Sequence, residues 1–256
     1  NNYAIKHYTA DKYCGKANAG GTIGPVPTLY YEYDRNDRRR DISCIPYRWN
    51  GGRQELENIQ KWYSGKYRYE WMNEVISGND CGIKPIVMRY ADVLLMYAEA
   101  KIELNEIDQT VRDAINDVRE RAYRNSGKSY PVVTETDQAK LRTILRTERR
   151  VELAWENRRW FDLIRWRLAE TALTRPIYCH DQTTALQKVI DEGDYPFPKG
   201  VLPEVDADGL VDLSPLYATG KIIKINDRGF QTRQYLMPIP AKERLINPNI
   251  TQNEGY

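Results

Sequence analysis

The stretch from Arg146 to Arg167, RTERRVELAWENRRWFDLIRWR, constrains the fold more than any other part of the chain. It interleaves charged residues with large aromatic and aliphatic residues at the spacing of an α-helix. Glu148, Glu152 and Glu156 recur every four residues, and arginines lie three or four residues from them. We therefore predict helices that pack through their apolar residues and pair their charges, within the helix and with neighbouring segments.

Three carboxylates on one helix face are also the pattern of an acid–base site or a di-metal site. Helix-bundle metal sites of that kind usually add Glu-x-x-His motifs. The chain has only two histidines, His7 and His180, and both are far from this segment in sequence. The ion-pair network is therefore the favoured interpretation, with a carboxylate site as its alternative.

The apolar pattern of this stretch changes phase at Asn157. Asn tolerates the left-handed conformation that ends a helix. We predict one helix to about Glu156 and a second from about Arg158 to Leu168. Trp155 and Trp160 are expected to be buried aromatic residues of the core.

A pair of helices is predicted upstream. The first starts after Pro85, and its inward stripe is expected to be Ile86, Tyr90, Val93, Leu94, Tyr97, Ala98 and Ile102. Asp108 precedes the second, whose inward residues are expected to be Val111, Ala114, Ile115, Val118 and Ala122. Small residues let two helices approach closely, as in tetratricopeptide-type pairs. Because one pair cannot bury its own face, we expect a segment outside this sequence to complete the core.

Three segments carry a resemblance to a known family. They are ERRVELAWENRRWFDLIRW, the upstream MRYADVLLMYAEAKIELNE with AINDVRERA, and the C-terminal LMPIPAKERLINPNITQNEGY. In order and spacing they resemble the SusD/RagB family of outer-membrane nutrient-binding lipoproteins, strongly over residues 84–256 and weakly before them. The chain departs from the family pattern at Asn157, where Gly is common. Asn can still adopt the left-handed backbone conformation of such a turn at a low energetic cost.

The resemblance implies a fold class that is mainly α: SusD-like, with tetratricopeptide-type helix pairs, long loops and a small β-hairpin. Residues 84–256 would be the C-terminal helical domain with the hairpin and the C-terminal tail. Residues 1–83 are predicted from their Gly, Asn, Asp and aromatic content, without a helical period, to be a loop-rich aromatic segment that is a candidate to face the ligand. Family members also have a signal peptide, a lipid-bearing Cys and a helical N-terminal half. We expect all three to lie outside this sequence.

The same resemblance implies a non-catalytic protein on the extracellular face of the outer membrane, held only by an N-terminal lipid anchor outside this chain. It would bind oligosaccharide or polysaccharide for uptake through a SusC-like TonB-dependent transporter. A peptide-binding RagB-like lipoprotein is the close alternative, followed by a tetratricopeptide scaffold and a carbohydrate-active enzyme. Composition agrees with the absence of a nucleic-acid partner, because the net charge of +2 leaves no basic excess.

Aromatic residues are concentrated before residue 80, with ten of the nineteen tyrosines and three of the six tryptophans. A sugar ring has C–H faces and a rim of hydroxyls, so an exposed aromatic ring flanked by amide and charged groups complements it. The candidate ligand-binding residues are Tyr31, Tyr47, Arg48, Trp49, Asn50 and Trp62. The alternative is that these aromatic residues cover the scaffold or face the half of the protein expected to lie outside this sequence.

Two acidic segments are candidates for other chemistry. EVDADGLVD (204–212) is similar to a calcium loop, but Pro215 stands where a bidentate Glu is needed. We therefore predict a solvated Asp/Gly turn and no cofactor, with calcium as the alternative. Asp34, Asp37 and Asp41 are the loop carboxylates that a glycosidase could use. The surrounding arginines favour an ion-pair turn at NDRRRD, residues 36–41.

Two further expectations concern the hairpin and the cysteines. Residues 221–225 and 230–236, joined by Asn226-Asp227-Arg228-Gly229, are predicted to form the β-hairpin. Cys14, Cys44, Cys81 and Cys179 lack zinc-site spacing, so no metal site is expected from them. A Cys14–Cys44 disulfide is the first expectation for an exported protein, with buried thiols as the alternative.

Overall fold

The computed structural model describes residues 24–50, 53–56, 62–67, 84–180, 184–195 and 203–256, with residues 47–50 and 53–55 described by their backbone. The helices are α1 (Pro27–Glu32), α2 (Arg38–Ser43), α3 (Tyr90–Glu103), α4 (Gln109–Tyr123), α5 (Gln138–Glu152), α6 (Arg159–Arg165), α7 (Ala169–Leu173), α8 (Leu186–Asp191), α9 (Ser214–Ala218) and α10 (Ala241–Ile246), with a 3₁₀ helix at Thr232–Tyr235. The strands are β1 (Tyr47–Asn50), β2 (Arg53–Leu56), β3 (Ile177–His180), β4 (Glu204–Val205), β5 (Val211–Asp212) and β6 (Ile222–Asn226). The mainly helical fold class is confirmed.

Helices α3, α4 and α5 pack around one hydrophobic core. Asp108 caps α4 as predicted, because its Oδ1 accepts hydrogen bonds from the backbone of Thr110 at 2.9 Å and of Val111 at 3.4 Å. The predicted inward residues of α4 are all buried: Val111, Ala114, Ile115, Val118 and Ala122. Leu141 and Leu145 of α5 complete this core.

The predicted inward stripe of α3 is wrong in part. The helix begins at Tyr90, and Tyr90 itself is 72% exposed. Val93 and Tyr97 are exposed as well, whereas Asp92 and Glu99 are buried together with Leu95. Buried carboxylates need cationic partners, and Asp92 and Glu99 find theirs on α5 and α6. Those distant partners decide which face of α3 turns inward.

The predicted break between two helices is confirmed. Helix α5 ends at Glu152, Trp155 and Asn157 both adopt left-handed backbone conformations with φ of 69° and 59°, and α6 begins at Arg159. Trp155 is half-buried and donates a hydrogen bond from Nε1 to the carbonyl of Ser43 at 2.8 Å. Trp160 is 40% exposed, so its predicted place in the core is wrong. The break restarts the helical phase, and α6 turns Asp162 and Leu163 inward instead.

A second core joins the start of the described chain to its later part. Tyr30, Tyr31, Tyr33 and Trp62 pack with Val151 at the end of α5. Residues from α8, β5, α9 and β6 close the cluster: Leu186, Val189, Val211, Leu213, Leu216 and Ile222. Helix α5 therefore contributes to both cores, Leu141 and Leu145 to the first and Val151 to the second.

The described strands form three antiparallel pairs: β1 with β2, β3 with β6, and β4 with β5. The predicted hairpin over residues 221–236 is wrong in its partner. Strand β6 pairs with β3, and the residues after the turn form the 3₁₀ helix. Gln231 and Gln234 cap that helix, and Phe230 packs into a core with Leu163 and Leu168. These contacts hold residues 230–235 in a conformation other than the predicted second strand of the hairpin.

Two further findings complete the fold. Within the described ranges, no helix is both long enough and apolar enough to cross a bilayer. Cys44 is a buried free thiol, so the predicted Cys14–Cys44 disulfide is absent, and Cys179 is also buried. Cys14 and Cys81 lie outside the described residues.

Candidate functional site

Four of the candidate ligand-binding residues form one strand of a β-hairpin. Tyr47, Arg48, Trp49 and Asn50 make up β1, which pairs with β2 from Tyr47 opposite Leu56 to Asn50 opposite Arg53. Successive positions of a strand alternate between its two faces. Positions 47 and 49 therefore share one face of the hairpin, and positions 48 and 50 share the other.

The hairpin is tied to the second core at its base. Ile45 and Tyr63 exchange backbone hydrogen bonds of 2.7 and 2.9 Å, one residue away from buried Trp62. Trp62 stacks on Tyr30 with ring centroids 4.1 Å apart and an interplanar angle of 15°. The Ile45–Tyr63 bridge therefore connects the chain at the start of β1 to a base of buried, stacked aromatic residues.

The other two candidates lie inside this aromatic base. Trp62 is 4% exposed and Tyr31 is 6% exposed, so the expectation that their rings face a ligand is corrected. Burial follows from their partners. Trp62 packs edge-on against His180 at 5.1 Å, and Tyr31 Oη lies 2.9 Å from His180 Nε2 within hydrogen-bond distance.

His180 is the one described histidine, and its environment argues against a role as a catalytic base. Burial lowers the pKa of His180 to about 4, so the ring is neutral at pH 7. Burial also raises the pKa of its neighbour Tyr31 far above the usual range. The pair therefore serves as a neutral hydrogen-bonded link between α1 and β3.

The three glutamates of the Arg146–Arg167 stretch form the predicted ion-pair network. Their cations are Arg39 and Arg119 for Glu148, Arg39, Arg89 and Arg121 for Glu152, and Lys66 and Arg89 for Glu156. All of these partners come from outside α5, so the network is tertiary. Burial opposes ionisation of Glu152, but the surrounding arginines outweigh it and lower its pKa to about 2. A carboxylate held in this way is a poor general acid at neutral pH.

The loop carboxylates are engaged as well. Asp37 caps α2 through the backbone of Arg39 at 2.9 Å and also pairs with the Arg39 guanidinium at 2.6 Å. Asp41 pairs with Arg40 at 3.0 Å, and Asp34 accepts a hydrogen bond of 2.9 Å from Tyr123 Oη. This arrangement matches the predicted ion-pair turn.

The acidic segment at residues 204–212 forms a tight turn between β4 and β5. Asp206 Oδ1 accepts backbone hydrogen bonds from Asp208 and Leu210, each 2.9 Å long. Gly209 has φ of +75°, and a Cβ there would lie 2.9 Å from Arg146 Cβ. In the described part of the chain, no group of three or more His, Cys, Asp or Glu residues is placed to hold a metal ion.

One exposed aromatic surface was missed by the sequence analysis. Trp160 and Phe161, the latter 63% exposed, line a cleft of about 510 Å³ together with Trp155 and Leu29. A volume of this size suits a small ligand. The signal in the sequence was the helix break at Asn157, which frees the first turn of α6 from the phase of α5.

The packed helices α3, α4 and α5, the long loops and the β1–β2 hairpin define a mainly helical class of protein. Within that class, the chain belongs to the SusD family, whose family model matches residues 43–256. This confirms the family resemblance seen in the sequence.

Relatives and solved structures agree with this assignment. The chain is 27% identical to SusD-like protein P2 of Formosa agariphila over 247 residues, which is 90% of this chain and 40% of that protein. A SusD-like protein of Bacteroides fragilis shares the fold with a TM-score of 0.68 at 20% identity, covering 99% of this chain and 51% of the other. Another structure from that species, described as a SusD-like carbohydrate binding protein, gives 0.63 at 27% identity, covering 97% and 51%. The chain thus spans about half the length of these two structures.

Proposed function

We propose that this chain is part of a non-catalytic glycan-binding protein. One observation carries the proposal: the chain is similar, over 97% of its length, to a protein described as a SusD-like carbohydrate binding protein. The saturation of Glu148, Glu152 and Glu156 by arginines and a lysine supports a binding role over a hydrolytic one. The hairpin residues Tyr47, Arg48, Trp49 and Asn50 are the proposed contact surface.

Family membership supports a proposal for the cellular setting. We infer that the whole protein lies on the extracellular face of the outer membrane, held by a lipid anchor. It would deliver oligosaccharide to a SusC-like TonB-dependent transporter. A peptide-binding lipoprotein of the RagB type is the second candidate, because it would keep the same family and the same fold.

Titration calorimetry of the full-length protein against polysaccharides and peptides tests this proposal. The same mixtures are assayed for newly released reducing ends. Glycan binding without release of reducing ends supports the proposal. Release of reducing ends, or binding of peptides alone, contradicts it.

Substitution of Trp49 tests the contact surface. Trp49→Ala is expected to weaken glycan binding about tenfold or more, because a stacked aromatic ring is a common centre of binding energy. The melting temperature should stay close to that of the unchanged protein. Trp160→Ala, which truncates the same side-chain type at the other aromatic surface, is the matched comparison. If Trp160→Ala abolishes binding and Trp49→Ala does not, the ligand lies against α6 and not on the hairpin.

A further inference from the structure

A cleft of about 490 Å³ lies beside α6, α7, β3 and β5, apart from the hairpin. Among the described residues that line it are four arginines, Arg150, Arg159, Arg175 and Arg228, and one carboxylate, Asp212. Much of the remaining wall is apolar, and it includes the ring of Tyr178. We call this site the arginine cleft.

Two of the four arginines form ion pairs with carboxylates that do not line the cleft. Arg150 Nε lies 2.5 Å from the carboxylate of Glu32, and Arg175 Nη2 lies 2.5 Å from that of Asp206. Arg150 also donates to Thr28 Oγ1 at 2.9 Å, and Arg175 to the carbonyl of Val211 at 3.1 Å. These contacts fix the two guanidinium groups and neutralise part of their charge.

The other two arginines have far fewer partners. Arg159 Nη2 is buried and has no hydrogen-bond partner in the described part of the chain. Arg228 Nη2 donates to the carbonyl of Ala172 at 3.3 Å, and no carboxylate among the described residues forms an ion pair with it. A buried guanidinium donor without a partner is costly unless something else satisfies it.

The electrostatics of the cleft are those of an excess of positive charge. Burial and then the charge of Arg150 lower the pKa of Arg159 to about 9, although Glu32 and Asp162 oppose the shift. The same two causes lower the pKa of Arg228. Burial raises the pKa of Glu32 to about 7 in spite of Arg150 and Arg159, so Glu32 is only partly ionised at neutral pH. An anion in the cleft would relieve this repulsion.

We propose that the arginine cleft binds the oxyanion group, carboxylate or sulfate, of an acidic sugar. A guanidinium presents paired donors that match the two oxygens of such a group. Arg228 and the part of the Arg159 guanidinium that lines the cleft supply the donors, and Tyr178 with the apolar wall faces the sugar ring. The cleft volume suits a ligand of roughly monosaccharide size. The choice of a sugar as the carrier rests on the proposed glycan-binding function.

Calorimetry of the full-length protein with glucuronate, glucose 6-sulfate, glucose and inorganic sulfate tests the proposal. Glucuronate or glucose 6-sulfate should bind at least about tenfold more tightly than glucose, because a charge-assisted pair of hydrogen bonds is lost with the neutral sugar. The two acidic sugars distinguish a carboxylate from a sulfate as the preferred group. Binding of inorganic sulfate with no acidic sugar bound overturns the assignment to sugars.

Arg159→Gln is the decisive variant. It should weaken acidic-sugar binding about tenfold or more, while the melting temperature without ligand stays the same or rises, because a buried cation with an unpartnered donor is removed. Arg228→Gln should weaken binding in the same direction. Arg244→Gln removes the same charge at an exposed position on α10 and should change neither quantity.

The outcomes separate this proposal from the proposed function. If polysaccharides bind but acidic sugars bind Arg159→Gln as well as the unchanged protein, the arginine cleft is not the site and glycan binding stands. If glucuronate binds in an Arg159-dependent way but no polysaccharide binds, the cleft stands and glycan capture fails. A large fall in melting temperature for Arg159→Gln, with no acidic sugar bound to the unchanged protein, assigns Arg159 a structural role only.

Discussion

At the scale of single residues, Glu152 is the centre of the ion-pair network. Its side chain is fully buried and is met by Arg39 from α2 at 2.7 Å, by Arg121 from α4 at 2.8 Å, and by Arg89 from the segment before α3. Each arginine belongs to a different part of the chain. Through these ion pairs, Glu152 links three segments that are not neighbours in sequence.

Glu152→Gln is expected to lower the free energy of unfolding by about 3–5 kcal/mol, because the change leaves several arginines beside a neutral amide. Urea unfolding followed by circular dichroism measures the loss. Glu120→Gln, the same change at an exposed position of α4, is the control and should have little effect. Equal stabilities of the two variants would contradict the role given to Glu152.

The same residue predicts a pH dependence. The pKa of Glu152 falls from 4.5 to about 2 on folding, so its contribution to stability is complete above about pH 4.5 and is lost as the pH falls through about 2. The difference in unfolding free energy between the unchanged protein and Glu152→Gln should therefore shrink from pH 6 towards pH 2. A difference that stays constant over this range would show that charge is not what Glu152 contributes.

At the scale of elements, the turn between α5 and α6 determines which residues of the two helices are buried and which are exposed. Trp155 and Asn157 both have positive φ, and Leu153 and Ala154 between α5 and Trp155 are buried. Helix α5 can then keep its carboxylates inside while α6 starts with Trp160 and Phe161 at the surface. A continuous helix could not place both sets of residues in this way.

Asn157→Gly and Asn157→Ala test this turn as a matched pair, because both remove the amide side chain. The Ala variant should be less stable than the Gly variant by about 1 kcal/mol, since only glycine adopts a left-handed conformation without cost. Thermal unfolding of the two proteins measures the difference. Equal melting temperatures would mean that the turn relaxes to a different conformation.

At the scale of the whole molecule, α5 joins two cores that are otherwise built from different parts of the chain. Leu141 and Leu145 pack with α3 and α4, and Val151 packs with Tyr30 and Trp62. The buried carboxylate of Glu148 lies between these positions in the sequence, and that of Glu152 directly follows Val151. We expect the two cores to unfold together.

Leu141→Ala tests this coupling. Truncation of this fully buried side chain should cost about 2–5 kcal/mol, through lost contacts and a residual cavity. Tryptophan emission and far-ultraviolet circular dichroism should report the same lowered melting temperature, although Trp62 lies in the other core. Leu245→Ala at an exposed position is the control. Tryptophan emission that melts as before, while helicity is lost earlier, would indicate independent units.

Local patterns in the sequence were sufficient for several elements. Asp108 predicted the start of α4, and Asn157 predicted the break after α5, because caps and left-handed turns depend on neighbouring residues alone. The carboxylates of α5 predicted the network, but not its partners, which come from distant segments.

Long-range pairing explains what the sequence did not predict. Asp92 turns inward because Arg149 lies 3.1 Å away, and a hydrophobic pattern cannot anticipate this. Strand β6 pairs with β3 and not with the residues that follow it. Of the candidate site, the burial of Tyr31 and Trp62 depends on His180, which is more than a hundred residues further along. The roles of Tyr47, Arg48, Trp49 and Asn50 as ligand contacts remain predictions.

The buried thiol of Cys44 can report how often the surrounding part of the fold opens. Burial raises the pKa of the thiol, and the sulfur is closed off at the end of α2. An alkylating reagent can therefore modify Cys44 only in the moments when that corner of the fold opens. In a variant that keeps Cys44 as its sole cysteine, the rate of alkylation measures how often this region opens. A ligand that binds to the hairpin and stabilises the region would lower that rate.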